Sequence, residues 1–164
     1  MALVERRGSG QDVAMWIDAK GSDVLPLPEC RRLLALAAKD GLVGRLAVST
    51  DQAPEMIPVN FEIVEGQVVV RLGAGSFSRL AAGHLVAFEV DHVDPEDATA
   101  WSVLVRGLAT LDELPGPSEL AGGPRPLVPE PGAMLLVVRP DVVTGRRFAL
   151  PATPDPLTDD DAPA

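Results

Sequence analysis

Most links between the apolar stretches of this chain are too short for anything but antiparallel neighbours. Residues 43–50 (VGRLAVST), 55–64 (EMIPVNFEIV) and 67–72 (QVVVRL) read as strands joined only by DQAP and EG. A crossover between parallel strands needs about a dozen residues or more. EG at 65–66 is also a hairpin signal. Further strands read at 84–93 (HLVAFEVDHV) and 100–114 (AWSVLVRGLATLDEL), where Ser102, Leu104, Arg106 and Leu108 alternate against Val103, Val105 and Gly107. Residues 133–150 form a last strand or strand pair, broken at Pro140. Pro58 cannot donate to a ladder, so it marks an edge, a bulge or a strand end. One real helix precedes the strands in LPLPECRRLLALAAKDG, with Pro28 in its first turn, Leu33, Leu34 and Ala37 on one face, and Gly41 as its stop. A short helix follows residue 76, and PGPSELAGG suggests one more turn. The expected class is mainly β, a small antiparallel barrel or sandwich.

Composition narrows the partners. Fourteen basic against 24 acidic residues give a net charge of −10, which repels phosphate backbones and argues against nucleic acid. Any anionic ligand therefore needs a local cationic pocket. Cys30 is the only cysteine, which excludes an intrachain disulfide and suits a reducing compartment. No apolar run approaches the roughly 18–20 residues that span a bilayer, and the N-terminal residues lack the apolar stretch of a signal peptide. The expectation is a cytoplasmic protein without membrane association. It has a flexible arm at 1–25 that Trp16 could pin, one folded domain at 26–150, and a disordered acidic tail at 151–164.

The stretch VVVRLGAGSFSRLAAG (68–83) carries the most chemistry. Its glycines suggest a dinucleotide loop, with Asp91 at the end of the next strand. The roughly seven residues available for a helix are too few for a crossover, and the upstream strands are hairpin-linked, so that reading fails. Two readings survive. One is structural, with Ser76 or Ser78 capping the short helix. The other is an anion site, with Arg79 and Arg71 pairing with a phosphate. Elsewhere, His84 and His92 lie eight residues apart on one strand, about 26 Å, too far to share a metal. Asp91, His92 and Asp94 have no matching ligands, so no metal site is expected. Cys30 sits near a helix N-terminus that can lower its pKa, although an idle buried thiol is the simpler reading.

Taken in order, ECRRLLALAAKDGLVGRLAV, MIPVNF, VVVRLGAGSFSRLAAG, LVAFEVDHVD, WSVLVRGLATL and VVTGRRF resemble the pyridoxamine 5′-phosphate oxidase-like family over residues 26–149. The resemblance implies a six-stranded antiparallel split barrel that binds flavin mononucleotide (FMN), as a homodimer with its sites at the interface. By match, Pro58, Val59 and Asn60 lie beside the isoalloxazine ring, and Arg71 and Leu72 approach the flavin. Ser78 and Arg79 contact its phosphate, Trp101 lies near the interface, and Arg146 and Arg147 reach the site from the same or the partner chain. Phe61, Leu72 and Arg79 stand where the family usually has tyrosine, threonine and lysine. The implied function is FMN-dependent oxidation or reduction of a small organic substrate, with a nicotinamide or deazaflavin as electron donor. No catalytic side chain is implied, because the protein supplies position, a dry pocket and charge. The alternative, favoured by Leu72, is a non-catalytic split barrel that binds ligand or dimerises with flavin binding weakened or lost.

Overall fold

The computed structural model describes residues 22–73, 75–112 and 134–150. Trp16, the PGPSELAGG segment and the acidic tail lie outside them. The elements are β1 (Ser22–Val24), α1 (Leu27–Lys39), β2 (Gly44–Val48), β3 (Glu55–Val59), β4 (Phe61–Val64), β5 (Gln67–Leu72), α2 (Ser76–Ala81), β6 (Leu85–Asp94), β7 (Thr99–Asp112) and β8 (Met134–Ala149). The strands form one antiparallel sheet in the order β3-β2-β6-β7-β8-β5-β4, and β1 pairs with β8.

The two ends of that order are β3 and β4, which are joined by Asn60 alone. The sheet therefore curls until its two edges meet in one bent strand. Counted that way, β2 to β8 make the six strands expected of a split barrel, and β1 is an addition on β8. Residues 22–24, assigned to the N-terminal arm from sequence, pair through Val24 with Arg146 and through Ser22 with Phe148. Leu25 follows into the core, its N–H bonded to the Gly145 carbonyl at 2.9 Å.

Alternation sets the inside of the barrel. Trp101, Val103, Val105 and Ala109 of β7 are buried, while Arg106 and Leu108 are exposed. Leu46, Phe88, Val90, Val70, Leu136 and Val138 complete the interior from neighbouring strands. Each such side chain contributes about 1.5–3 kcal/mol by leaving water. The turn between β4 and β5 places both Glu65 (φ 52°) and Gly66 (φ 78°) in the left-handed region, as a two-residue type I′ hairpin requires. Pro58 lies on β3, whose only ladder is with β2, so the missing N–H faces the open edge.

The expected break at Pro140 is a bulge within one continuous strand. Arg106 is level with Val142 and Gly107 with Pro140, leaving Asp141 as the extra residue. The chains close in tightly there: a Cβ on Gly107 would lie 1.9 Å from the Arg139 carbonyl oxygen.

Helix α1 lays Cys30, Leu33, Leu34 and Ala37 on the barrel. The Cys30 thiol is fully buried and donates to the Leu25 carbonyl at 3.6 Å. Burial pushes its pKa up, so the proximity of a helix N-terminus does not activate it. The first turn is also pinned electrostatically. Glu29 accepts hydrogen bonds from Arg32 at 2.8 and 2.9 Å and from Arg147 of β8 at 3.0 Å. These guanidiniums, Arg32 foremost, hold its carboxyl down at about 2.

Two outcomes are expected. Gly107→Ala must displace backbone and should lose about 2–4 kcal/mol in urea denaturation; Gly75→Ala, with nothing within 4 Å of the added carbon, should change little. The stability contributed by the Glu29 carboxylate is complete above its unfolded pKa, near 4.5, and is lost as the pH falls through about 2. The difference in urea midpoint between the wild type and Glu29→Gln should thus be steady near neutrality and shrink between those values.

Candidate functional site

The barrel seam collects half of the residues singled out from sequence. In the β4–β5 ladder Phe61 is level with Val70. Continuing that register by one places Asn60 level with Arg71, and the next step places Val59 level with Leu72. Side chains alternate here too. Val59, Val70 and Leu72 point into the core, whereas Arg71 lies on the outer face. Val59 and Leu72 therefore offer a ligand only backbone groups. Pro58 is exposed on the outer face and Asn60 is half-buried at the bend.

Arg71 is the most informative of these. Its Nε is buried and has no hydrogen-bond partner among the described residues. A buried charged donor without an acceptor is costly. An anionic or carbonyl oxygen of a ligand lying along the seam would satisfy it, so the donor set fits a flavin.

Beyond Gly73 the chain turns, with the Gly75 N–H bonded to the Gly73 carbonyl at 2.7 Å, and enters α2. Ser78 is 1% exposed, and its hydroxyl donates to the Gly75 carbonyl at 2.9 Å. It thereby ties down the turn from within the helix. The N-cap is Gly75, so Ser78 does not take the capping role expected from sequence. Arg79 is exposed and forms no ion pair among the described residues. A six-residue helix contributes little dipole, so an anion near α2 would depend on Arg79 and on turn N–H groups.

Trp101, Arg146 and Arg147 lie elsewhere on the same chain. The backbones of Gly83 and His84, just after α2, bond to Ala109 of β7. Trp101 is eight residues from Ala109 along that strand, about 26 Å. Trp101 is level with Arg147, and Ser102 with Arg146. Arg147 is engaged by Glu29, and Arg146 donates to the buried Ser22 hydroxyl at 2.8 Å. One protomer thus brings together Pro58, Val59, Asn60, Arg71 and Leu72 at the seam, carries Ser78 and Arg79 on α2 beyond it, and holds the other three near α1.

Two features of the outer face were not singled out from sequence. Arg45 of β2 bridges Glu89 and Asp91 of β6, bonding Glu89 at 2.9 Å. Burial outweighs that bond and pushes the Glu89 pKa up. Beside this cluster runs an open groove of about 490 Å³ lined by Ala47, Leu85, Ala87, Arg106, Asp141 and Val142. Arg106 forms no ion pair among the described residues. The alternation of β7 already turned Arg106 outward; its groove depends on the bulge at Asp141, which no local pattern announces.

Comparison with known proteins places this geometry. The family profile described as pyridoxamine 5′-phosphate oxidase matches residues 28–147. An uncharacterised protein of Mycobacterium tuberculosis (strain ATCC 25618 / H37Rv) is 33% identical over 135 residues, 77% of this chain and 86% of that protein. The structure of an FAD binding protein from Mycobacterium smegmatis superposes with a TM-score of 0.60 at 29% identity, covering 76% of this chain and 97% of that one. A conserved protein of unknown function from Corynebacterium diphtheriae gives 0.60 at 25% identity, over 79% and 99%. With a split barrel whose two sheet ends join at Asn60 and a family match across nearly all of the described residues, the chain belongs to the pyridoxamine 5′-phosphate oxidase family.

Proposed function

We propose that this protein is a flavin-dependent oxidoreductase that binds FMN along the barrel seam and acts on a small organic substrate in the cytoplasm. The buried, unpartnered Nε of Arg71, in a member of this family, carries the reading. Bound flavin supplies electron transfer at its own ring. The chain's residues do the rest. Backbone groups around Pro58, Val59, Asn60 and Leu72 orient the ring edge, and Arg71 places positive charge beside it. Arg79 holds the phosphate at the end of α2.

The site is best completed by a second copy of the chain. Leu85 (69%), Met56 (63%) and Leu108 (40%) are exposed on the outer face of the sheet, an apolar surface that suits association. Trp101, Arg146 and Arg147 lie too far from Arg79 to serve one small cofactor within a protomer. From a partner they can approach its seam.

Two other readings have specific support. Leu72 faces the core, so the threonine hydroxyl usual at this position has no replacement; this favours a non-catalytic barrel with weakened flavin binding. The FAD binding protein of M. smegmatis, at 29% identity, favours FAD over FMN.

The test is uptake of flavin by the purified protein, followed by its visible absorption near ~450 nm and its retention through dialysis. Retained or titratable FMN is expected, and Arg71→Ala and Arg79→Ala should each weaken it about tenfold. A colourless protein that takes up neither FMN nor FAD would sink the proposal, and tighter uptake of FAD would reassign the cofactor. Anaerobic bleaching by a nicotinamide or a deazaflavin then identifies the donor, and absence of bleaching by either favours the non-catalytic reading. Sedimentation velocity should report a dimer.

A further inference from the structure

The outer face of the sheet is ordered in rows. Level partners on neighbouring strands point to the same side, as do residues two apart on one strand. Leu85, Leu108 and Arg139 form one row, Arg106 and Val142 the next, Arg45 and Glu89 a third, and Asp91, level with Ser102, a fourth. Successive rows are about 7 Å apart. The first two rows are largely apolar, with Leu85, Leu108 and Val142 exposed beside the groove of about 490 Å³.

The rows divide by charge. Arg106 and Arg139 are exposed and, like the bulge residue Asp141 beside them, form no ion pair among the described residues. Two guanidiniums against one carboxylate leave those rows positive. In the third and fourth rows the proportion is reversed, because Arg45 is shared between Glu89 and Asp91. Arg146, at the level of Ser102, donates instead to the Ser22 hydroxyl at 2.8 Å. The face thus changes sign along the strands over about 14 Å, with exposed apolar side chains in its positive half.

A face banded in this way is complementary to itself. A twofold axis lying in the contact plane and running across the strands reverses the order of the rows, so positive rows meet negative rows twice. Resting on the dimer put forward above, we propose that the outer face of β2, β6 and β7 is the contact between two copies of this chain, with Arg106 of each copy paired to Asp91 of the other. The occupant is a second copy because the charges that would satisfy Arg106 stand on the same face in reversed order. The rotation also serves the flavin site. Arg71, level with Leu135, lies beyond the Arg139 row, whereas Trp101 and Arg147 lie beyond Ser102. Reversal brings the Trp101 end of one copy towards the Arg71 end of the other.

Sedimentation velocity over a concentration series tests it, on the wild type, on Arg106→Glu, on Asp91→Arg and on an equimolar mixture of the two variants. The wild type should be a dimer. Each variant alone sets like charges together at both contacts and should raise the dimer dissociation constant about tenfold or more. In the mixture, one chain of each kind restores opposite charges at both contacts, so dimers should return. Arg106 has no ion pair to lose within the protomer, and Arg45 keeps Glu89 when Asp91 is replaced, so circular dichroism should show both variants folded. The readout needs no flavin. A monomeric wild type would overturn the dimer itself and this surface with it. A dimeric wild type whose folded variants stay dimeric, or whose mixed variants stay apart, would overturn this surface and leave the dimer standing.

Discussion

Everything in this molecule hangs on the meeting of β3 and β4 at Asn60. β3 has a partner only in β2, and β4 only in β5, so each would be an open edge. Because one residue joins them, the last strand of the sheet in each direction is the same stretch of chain. That closure curls the sheet, while β3 and β4 each keep one side without a ladder. It also puts the bend, with Pro58 exposed and Asn60 half-buried, level with the end of β5. Arg71 is aimed at the outside of the seam by the same alternation that sends Val70 and Leu72 into the core.

The parts of the fold controlled by short-range rules were legible in the sequence. The short links DQAP and EG demanded antiparallel pairing, and the left-handed Glu65 and Gly66 supply the hairpin. Strand β5 falls on the residues read for it, because Gln67–Leu72 is bounded by a turn and two glycines. Pro58 marked an edge, a bulge or a strand end, and it lies one residue before the end of β3, whose only ladder is with β2. What escaped depended on partners distant in sequence. Ser22–Val24 has no strong pattern of its own and becomes a strand only by pairing with Arg146–Phe148. The bulge at Asp141 exists because β7 and β8 slip by one residue at Gly107.

Side-chain roles were harder to read than positions. Ser78 was expected to face a ligand, yet it is buried and bonded to Gly75, since in a helix this short the local backbone is its nearest acceptor. Cys30 lies near a helix start, and burial against Leu25 governs its thiol, in line with the simpler reading of an idle buried thiol. Arg147 matched a family signature and is held by Glu29, 118 residues away. In each case the residue type suggested chemistry, while its surroundings, invisible in a linear chain, decided it. Arg71 differs from these in one respect: its buried Nε is the one such side-chain atom without a partner among the described residues.

That atom is where the flavin reading can be checked without turnover. Proton–nitrogen NMR of the arginine Nε–H groups, with Arg71 assigned through Arg71→Lys, follows it directly as FMN is added. The Arg71 signal should shift and its exchange with water should slow, as a new acceptor satisfies the donor. An Arg71 signal that stays in place while FMN binds, with the changes confined to Arg146 and Arg147, would contradict a flavin at the seam.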